Sequence, residues 1–528
     1  MQEMTDAAVF GIDLGTTNSA IAIADANGAR IVPNQENGST TPSVVAFRQG
    51  DKPVVGVAAR NLAVALPDAV AQHVKRRIGM ESTDQAARIA IGGESYLPEE
   101  ISALVIRKLV NDALERERHS PSTQVKVVIT VPAYFTSMGK NNTRNAAKLA
   151  GVEVLDLVHE PVAAAIAYGD ARAQAPQTAL VYDLGGGTFD ATVVEIGENT
   201  FRTIATDGDR LLGGHDWDLA IARWIVQQFE DAHPGAAPNL DDLSQKYRLL
   251  EAAETAKMAL TEIDDTTVAF HHGGKSISPD LTRDTFEMLT DHLLEETISR
   301  TEAVLQAAAG KGVHAPQTVV LVGGSTYMPA IMRRLKAMPE LTGCEFKRHE
   351  PDFAIAKGAA LYAQMVASGV QSVGAAAPGA VPSGSGRLVT QVNAKAIGVV
   401  LEDRDTNEKH VQYLIGRNTE LPTEVEETFY TIKDNQSSVL VEVVEERQEP
   451  SAVVRENLML NGGVFRLPAP LPDMSPLKYR LSLDGAGIVH VFVTDLKSGK
   501  TWEMKIDRYR DVTNDQLMRL RPVMENVT

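Results

Sequence analysis

Two stretches of the chain repeat one phrase, and the residue types they bring together suit a nucleotide. The first reads Val9-Phe10-Gly11-Ile12-Asp13-Leu14-Gly15-Thr16-Thr17-Asn18-Ser19 and runs into Ala20-Ile21-Ala22-Ile23-Ala24. The second reads Leu180-Val181-Tyr182-Asp183-Leu184-Gly185-Gly186-Gly187-Thr188-Phe189-Asp190 and runs into Ala191-Thr192-Val193-Val194. Each is a strand, an Asp-Leu-Gly turn with small or hydroxyl residues, and a second strand: a hairpin whose loop has no bulky side chain. Glycine lets backbone N–H groups converge on an anion. Thr16, Thr17 and Thr188 add hydroxyl donors. Asp13, Asp183 and Asp190 add hard oxygens for Mg2+, which binds through one or two carboxylates plus substrate phosphates. One Asp-Leu-Gly alone is a turn. Two copies between apolar strands predict a duplicated lobe with nucleotide clamped between the halves.

Further elements must complete such a clamp. Lys75-Arg76-Arg77 reads by itself as a solvated basic turn, but between two anion-binding loops one lysine can meet a phosphate as a point charge. The period of Ile101, Leu104, Val105, Leu109 and Leu114 predicts a helix over 99–118. Residues 125–131 form a buried-strand pattern ending at Pro132-Ala133-Tyr134-Phe135, and a helix over 140–150 stops at Gly151. A strand over 152–158 then meets His159-Glu160-Pro161, which opens an alanine-rich helix with Glu160 at its positive end. Leu212-Gly213-Gly214 is a turn entering a helix, and the helix predicted over 240–260 carries Glu254 and Lys257. Val319-Val320-Leu321-Val322 followed by Gly323-Gly324-Ser325-Thr326 is a further strand-to-glycine junction able to offer backbone N–H groups. A last helix is predicted over 352–365.

Whole-chain quantities narrow the function class. A length of 528 residues predicts two to four domains, and 44% hydrophobic with 23% charged residues is ordinary for globular protein. A net charge of −18 argues against nucleic acid and anionic membranes as partners. The one cysteine, Cys344, excludes an internal disulfide and Cys-rich metal sites. The acidic start Met1-Gln2-Glu3-Met4-Thr5-Asp6 lacks a leader pattern and no apolar run is long enough to span a bilayer, so a cytoplasmic location is expected. There is no Gly-x-x-x-x-Gly-Lys-Ser/Thr, since Ala269 stands where Gly273-Gly274-Lys275-Ser276 needs its first glycine. Nor is there a Gly-x-Gly-x-x-Gly after a strand, or a His-Glu-x-x-His at His159-Glu160, where Ala163 follows.

Composition changes after residue 367. Residues 368–387, rich in Ser, Gly, Val, Ala and Pro, read as a flexible linker. Residues 388–510 alternate in the β manner, as in Ile397-Gly398-Val399-Val400-Leu401 and Val489-His490-Val491-Phe492-Val493, with a hairpin signal at Asp484-Gly485; a compact β-sandwich is expected. Residues 511–528 leave room for one short helix starting near Thr513.

These phrases, in this order, resemble the seventy-kilodalton heat-shock chaperone family (DnaK-like). The matching stretches are Gly11 through Ser19, Val131-Pro132-Ala133-Tyr134-Phe135, Glu160-Pro161 with its alanine-rich helix, Asp183 through Asp190, Leu212-Gly213-Gly214 and Val322-Gly323-Gly324-Ser325-Thr326. Asn418-Thr419-Glu420-Leu421-Pro422 and Asp434-Asn435-Gln436-Ser437 extend the match into the β-rich part. The resemblance implies an actin-like, two-lobed α/β ATPase domain at 1–367 followed by an all-β peptide-binding domain. It implies that Asp13, Asp183 and Asp190 hold Mg2+, that Glu160 joins this carboxylate set, and that Lys75 stabilises charge at the γ-phosphate. Gly15, Thr16, Thr17, Gly185, Gly186, Gly187, Thr188, Gly213 and Gly214 would cradle phosphates. Glu254, Lys257 and Thr261 would hold adenosine from one side, and Gly323, Gly324, Ser325, Tyr327 and Asp352 from the other. The cofactors implied are ATP or ADP with Mg2+, K+ being a second candidate cation.

The implied function is an ATP-hydrolysing chaperone of weak turnover that binds exposed apolar peptide segments of unfolded proteins, with Val439 in the peptide pocket and Ile432 in the arch above it. A nucleotide-switched adaptor with a dedicated partner is the alternative reading, and an actin-like kinase a third. The implied partners are unfolded polypeptide, a J-domain cochaperone and a nucleotide exchange factor. Five departures from the family pattern stand out. Tyr327 replaces an arginine that stacks on adenine, and an aromatic face can stack as well. Lys140 replaces an arginine in the helix after Ala133-Tyr134-Phe135. Asp156 stands where the family has an arginine for the J-domain, a reversal expected to repel an acidic J-domain motif. The linker lacks the leucine-rich docking strand, and there is no full helical lid, so weak coupling between domains and fast peptide exchange are expected.

Overall fold

The repeated phrase is a repeat in space. In the first lobe the strands lie in the order Glu153–His159, Val125–Val131, Ala8–Asp13, Asn18–Asp25, Gly28–Ile31. The first three run parallel and the last two fold back as antiparallel hairpins. The second lobe repeats that order and those directions with Glu345–Lys347, Thr318–Val322, Gln177–Leu184, Phe189–Ile196 and Thr200–Asp209. Each sheet is an apolar run buried on both faces: Phe10, Ile12, Val127, Ile129, Val181, Val193 and Val319 are all solvent-inaccessible. The computed structural model describes residues 7–47, 52–80, 87–91, 93–170, 177–197, 200–348, 350–369, 388–447, 450–485, 487–504 and 512–527. The chain start and all but two residues of the expected 368–387 linker lie outside these.

Two helices, Glu160–Asp170 and Ala354–Ala367, join the lobes at their base. Their alanine-rich faces permit very close approach. A Cβ on Gly358 would lie 1.7 Å from the Ala163 carbonyl oxygen, and one on Gly11 would lie 2.0 Å from Ala360 N. Val128 and Val158 of one lobe and Val181, Val194 and Val320 of the other share one buried cluster with these helices. The cleft therefore opens above a rigid floor.

The β-rich part folds into two four-stranded antiparallel sheets. One holds Lys409–Ile415, Ile397–Glu402, Gln436–Glu446 and Asn457–Leu471, the other Thr423–Tyr430, Pro476–Leu483, Val489–Asp495 and Thr501–Met504. Their inner residues, among them Val441, Leu460, Phe465, Leu481 and Val491, share one core. Alternation in the sequence dictates this, since every second residue must face inward.

Four features depart from expectation. First, Leu388–Thr390 is not the beginning of the β-rich domain. It forms a strand parallel to Thr200–Arg202 on the edge of the second-lobe sheet, so a docking strand is present after all. Three residues following a compositionally simple stretch carry too little periodicity to reveal it, and their partner lies far upstream.

Second, the β-rich domain rests directly on the lobes. Met138, on the first-lobe helix Ser137–Leu149, is 5% exposed and belongs to the core of the β-rich domain. The Ser137 hydroxyl donates to the Gly487 carbonyl at 2.8 Å. On the second lobe, Thr206 N donates to Asn418 Oδ1 at 2.9 Å, and Arg202 pairs with Glu420 at 3.0 Å.

Third, the tail helix Asn514–Met524, capped by Thr513 and Gln516 as a capping box, returns to the first lobe. Leu520 and Met524 enter the first-lobe core, and Arg519 pairs with the buried Glu100. Asp156 also needs correction. It is 1% exposed and accepts a hydrogen bond from the Tyr362 hydroxyl at 2.8 Å, so it presents no charge to a visiting partner.

Candidate nucleotide site

The cleft is built from the ends of the two central strands and the loops that follow them. Asp13 ends the first-lobe strand Ala8–Asp13, and Thr130 from the neighbouring strand donates to its Oδ1 at 3.2 Å. The first loop is tied down by hydroxyls. Gly15 N donates to Ser19 Oγ at 3.1 Å, and the Ser43 hydroxyl donates to the Gly15 carbonyl at 2.8 Å. In the second lobe, Asp183 and Asp190 stand directly opposite each other across the hairpin. Like charges at such a position are destabilising unless a site requires them.

The two loops meet. A Cβ on Gly186 would lie 2.1 Å from Thr17 Oγ1, and one on Gly187 would lie 2.2 Å from Thr16 Cγ2. Glycine is required at both positions by this approach. The Gly213-Gly214 turn is bonded onto the second loop, with Gly214 N donating to the Gly185 carbonyl at 3.0 Å and His215 N to the Gly186 carbonyl at 2.8 Å. The Ser325 hydroxyl donates to the Gly185 carbonyl at 2.9 Å, which brings the Gly323–Ser325 turn to the same place. Gly323 adopts φ +81°, and a Cβ there would meet the Leu184 carbonyl. Lys257 pairs with Asp218 at 2.7 Å and donates to the Gly214 carbonyl at 3.2 Å. Glu254 is half-buried on the same helix, Thr261 bonds the Met258 carbonyl just beyond its end, and Asp352 stands exposed beside Gly324.

Electrostatics single out the centre. Lys75 and Glu160 form a buried ion pair, brought together from the short helical turn Val74–Arg77 and the start of the helix Glu160–Asp170. Burial alone would lower Lys75, but Glu160, Asp13 and Asp183 together hold it above its ordinary value. Burial and then the Glu160 carboxylate push Asp13 up to about 7. Asp183 and Asp190 are also held well above the ordinary carboxylate range, again by burial first and Glu160 second. Both Asp190 oxygens are buried without a hydrogen-bond partner among the described residues. Four carboxylates around one lysine are short of positive charge, and a cation fits that deficit. Among the described residues no group of three or more His, Cys, Asp or Glu is arranged to grip a metal ion directly. An ion held through water and phosphate needs no such grip.

Some site residues were not foreseen. Arg76 crosses the cleft, with Nε donating to the Gly187 carbonyl at 2.7 Å and the guanidinium pairing with Asp216. Read as part of a basic turn, it gave no sign of its partners. Asp218 and Thr130 were likewise unmarked, their roles being set by contacts across the fold. Of the expected peptide residues, Val439 packs partly buried against the β-rich core opposite Phe465, and Ile432 N donates to Gln436 Oε1 at 3.1 Å. They lie in the β-rich domain, apart from the cleft. At that domain's surface Leu440 and Val464, which pair across the sheet, are 49% and 54% exposed, and Tyr430 is 50% exposed.

Among the described residues no helix is long and apolar enough to cross a membrane. A family model described as Hsp70 protein matches residues 9–528. Curated relatives include proteins named chaperone protein DnaK from two strains of Halobacterium salinarum. Each is 35% identical over 524 residues, spanning 97% of this chain and 77% of the relative.

Proposed function

The chain belongs to the Hsp70 family, and from that premise we propose how its residues divide the work. It is an ATP-dependent molecular chaperone: a weak ATPase whose hydrolysis is coupled to the binding of unfolded protein. The reading assigns an actin-like ATPase to residues 1–367 and a peptide-binding β-sandwich to the β-rich part. The observation that carries it is the buried Lys75–Glu160 pair, set between two aspartate-bearing hairpins of a duplicated sheet.

In this reading Asp13, Asp183 and Asp190 hold Mg2+ through water, the ion supplying charge neutralisation at the phosphates; K+ is a candidate second ion. Lys75 stabilises negative charge developing at the γ-phosphate, and Glu160 holds Lys75 in place and keeps it charged. Gly15, Thr16, Thr17, Gly185–Thr188, Gly213 and Gly214 line the phosphates with N–H and hydroxyl donors. Arg76 ties the two lobes over the phosphate loops, which favours closure on nucleotide. Glu254, Lys257 and Thr261 face adenosine from one wall, Gly323, Gly324, Ser325, Tyr327 and Asp352 from the other. Val439 and Ile432 contact an extended peptide, and the exposed Leu440, Val464 and Tyr430 supply apolar surface near it. A J-domain cochaperone and a nucleotide exchange factor are the proposed protein partners, in the cytoplasm; the burial of Asp156 removes the reason for excluding the first.

The test combines single-turnover ATP hydrolysis with peptide affinity in ATP and in ADP. Lys75→Ala is expected to lose hydrolysis while retaining ADP, and ATP is expected to weaken peptide binding about tenfold, or about 1.4 kcal/mol. Unchanged hydrolysis in Lys75→Ala would remove that residue from the chemistry.

A further inference from the structure

Tyr327 is a large aromatic side chain left 42% exposed at the end of the turn that follows Gly323 and Gly324. The same turn is bonded to the phosphate loop through the Ser325 hydroxyl and the Gly185 carbonyl at 2.9 Å, and the next residue, Met328, lines a cavity of about 190 Å3 together with Lys257 and Thr261. One face of the ring is already taken. The Arg348 guanidinium carbon lies 5.3 Å from the ring centroid, within the range of a cation–π contact. Arg348 follows the strand Glu345–Lys347 and reaches the ring from outside the turn; its Nε is buried with no hydrogen-bond partner among the described residues. The site's other cations, Lys75, Arg76 and Lys257, are each bound to a carboxylate. Arg348 instead packs against an aromatic face.

We propose that Arg348 and Tyr327 form one stacking platform for the nucleotide base, with Arg348 as a positioning residue that acts through the ring. This rests on the nucleotide reading of the cleft and adds a residue to it. A half-exposed tyrosine has rotamer freedom that a bound base must remove. A guanidinium seated on one face holds the ring in a single orientation before the base arrives, and the free face is left for adenine. Burial first and then the nearby Asp352 carboxylate raise the Tyr327 hydroxyl above its ordinary value, while Arg348 acts against them. The recognised chemistry is the flat, electron-poor base of a purine nucleotide, not its phosphates.

The experiment is calorimetric titration of the full chain with ADP and, separately, with pyrophosphate, for wild type, Arg348→Ala, Arg348→Met, Tyr327→Ala and the double alanine variant. Arg348→Ala is expected to weaken ADP about two- to fivefold and Tyr327→Ala more, with the double variant no weaker than Tyr327→Ala alone. Arg348→Met keeps the stem but not the charge and is expected to fall between wild type and Arg348→Ala. Pyrophosphate affinity stays constant throughout, which also reports that each variant is folded. Wild-type ADP affinity in Arg348→Ala, or losses that multiply in the double variant, would overturn the platform while leaving the nucleotide site standing. Full ADP affinity in Tyr327→Ala would instead remove Tyr327 from the adenosine wall, and the reading beneath the proposal with it.

Discussion

Met138 is a side chain of one domain buried in the core of another, and truncating it should loosen their contact without unfolding either. It is 5% exposed and packs with the cluster that holds Leu421, Val441 and Leu481. Replacing a buried methionine by alanine costs about 2–5 kcal/mol. The lower figure applies here, because an interface can close over a gap more easily than a core. About 2 kcal/mol lowers the ratio of docked to undocked molecules roughly thirtyfold. Amide hydrogen exchange reads that ratio directly at groups protected only by docking. Thr206 N is such a group, since it donates to Asn418 Oδ1 of the β-rich domain. In Met138→Ala its exchange should quicken about thirtyfold, while Val181 and Val193 inside the second-lobe sheet keep their rates. Met138→Leu, which conserves volume, should sit close to wild type. Unchanged exchange at Thr206 in a folded Met138→Ala protein would refute the argument that this side chain holds the domains together.

Three more expectations follow from the same contacts. Burial raises Glu445 to about 7 and lowers Lys140 to about 8, and both stand at the domain interface among Arg144, Asp156, Lys395, Glu446 and Asp484. Glu445 therefore contributes docking stability that is full below its ordinary 4.5 and is lost as pH rises through about 7; Lys140 contributes stability that is full above 10.5 and is lost as pH falls through about 8. Thr206 exchange, corrected for the intrinsic rate, should thus show docking weakest near pH 7–8, and Glu445→Gln should flatten the acid side. Gly213→Ala would place a Cβ 2.5 Å from Gly187 C and Thr188 N, both backbone atoms, so the second loop must move; ADP affinity should fall about tenfold or more. Arg519→Ala leaves Glu100, 1% exposed, without its cation, and should lower first-lobe stability to denaturant by about 1–3 kcal/mol, with Glu100→Gln in the same chain restoring part of it.

What the residues disclosed before any coordinates was mostly local. The paired Asp-Leu-Gly hairpins are legible because each needs only a strand, a glycine loop and a strand, all contiguous. The strand over 125–131 and the glycine stops of the helices are legible for the same reason. The 28-residue helix Arg283–Gly310 passed unnoticed, because polar residues such as Thr290, Thr297 and Thr301 occupy buried positions and break the apolar period. Long-range pairing was illegible in principle. Nothing near Leu388 announces that Thr200 is its neighbour, nothing near Arg519 names Glu100, and a strand residue such as Asp156 does not state which face it turns inward. The chemistry of the cleft was readable one residue at a time; its shortage of positive charge appeared only when four carboxylates were seen around a single lysine.

The β-rich domain is tied to the two lobes at both of its ends: the strand Leu388–Thr390 to the second lobe and the helix Asn514–Met524 to the first. A segment anchored at two points is a closed loop, and either anchor can release while the other keeps the domain within reach. Re-docking is then an intramolecular event at an effective concentration on the order of millimolar. It is independent of how much protein the solution holds. Partial opening becomes easy and complete departure rare, so excursions of the β-rich domain away from the lobes are expected to be frequent, short and self-correcting.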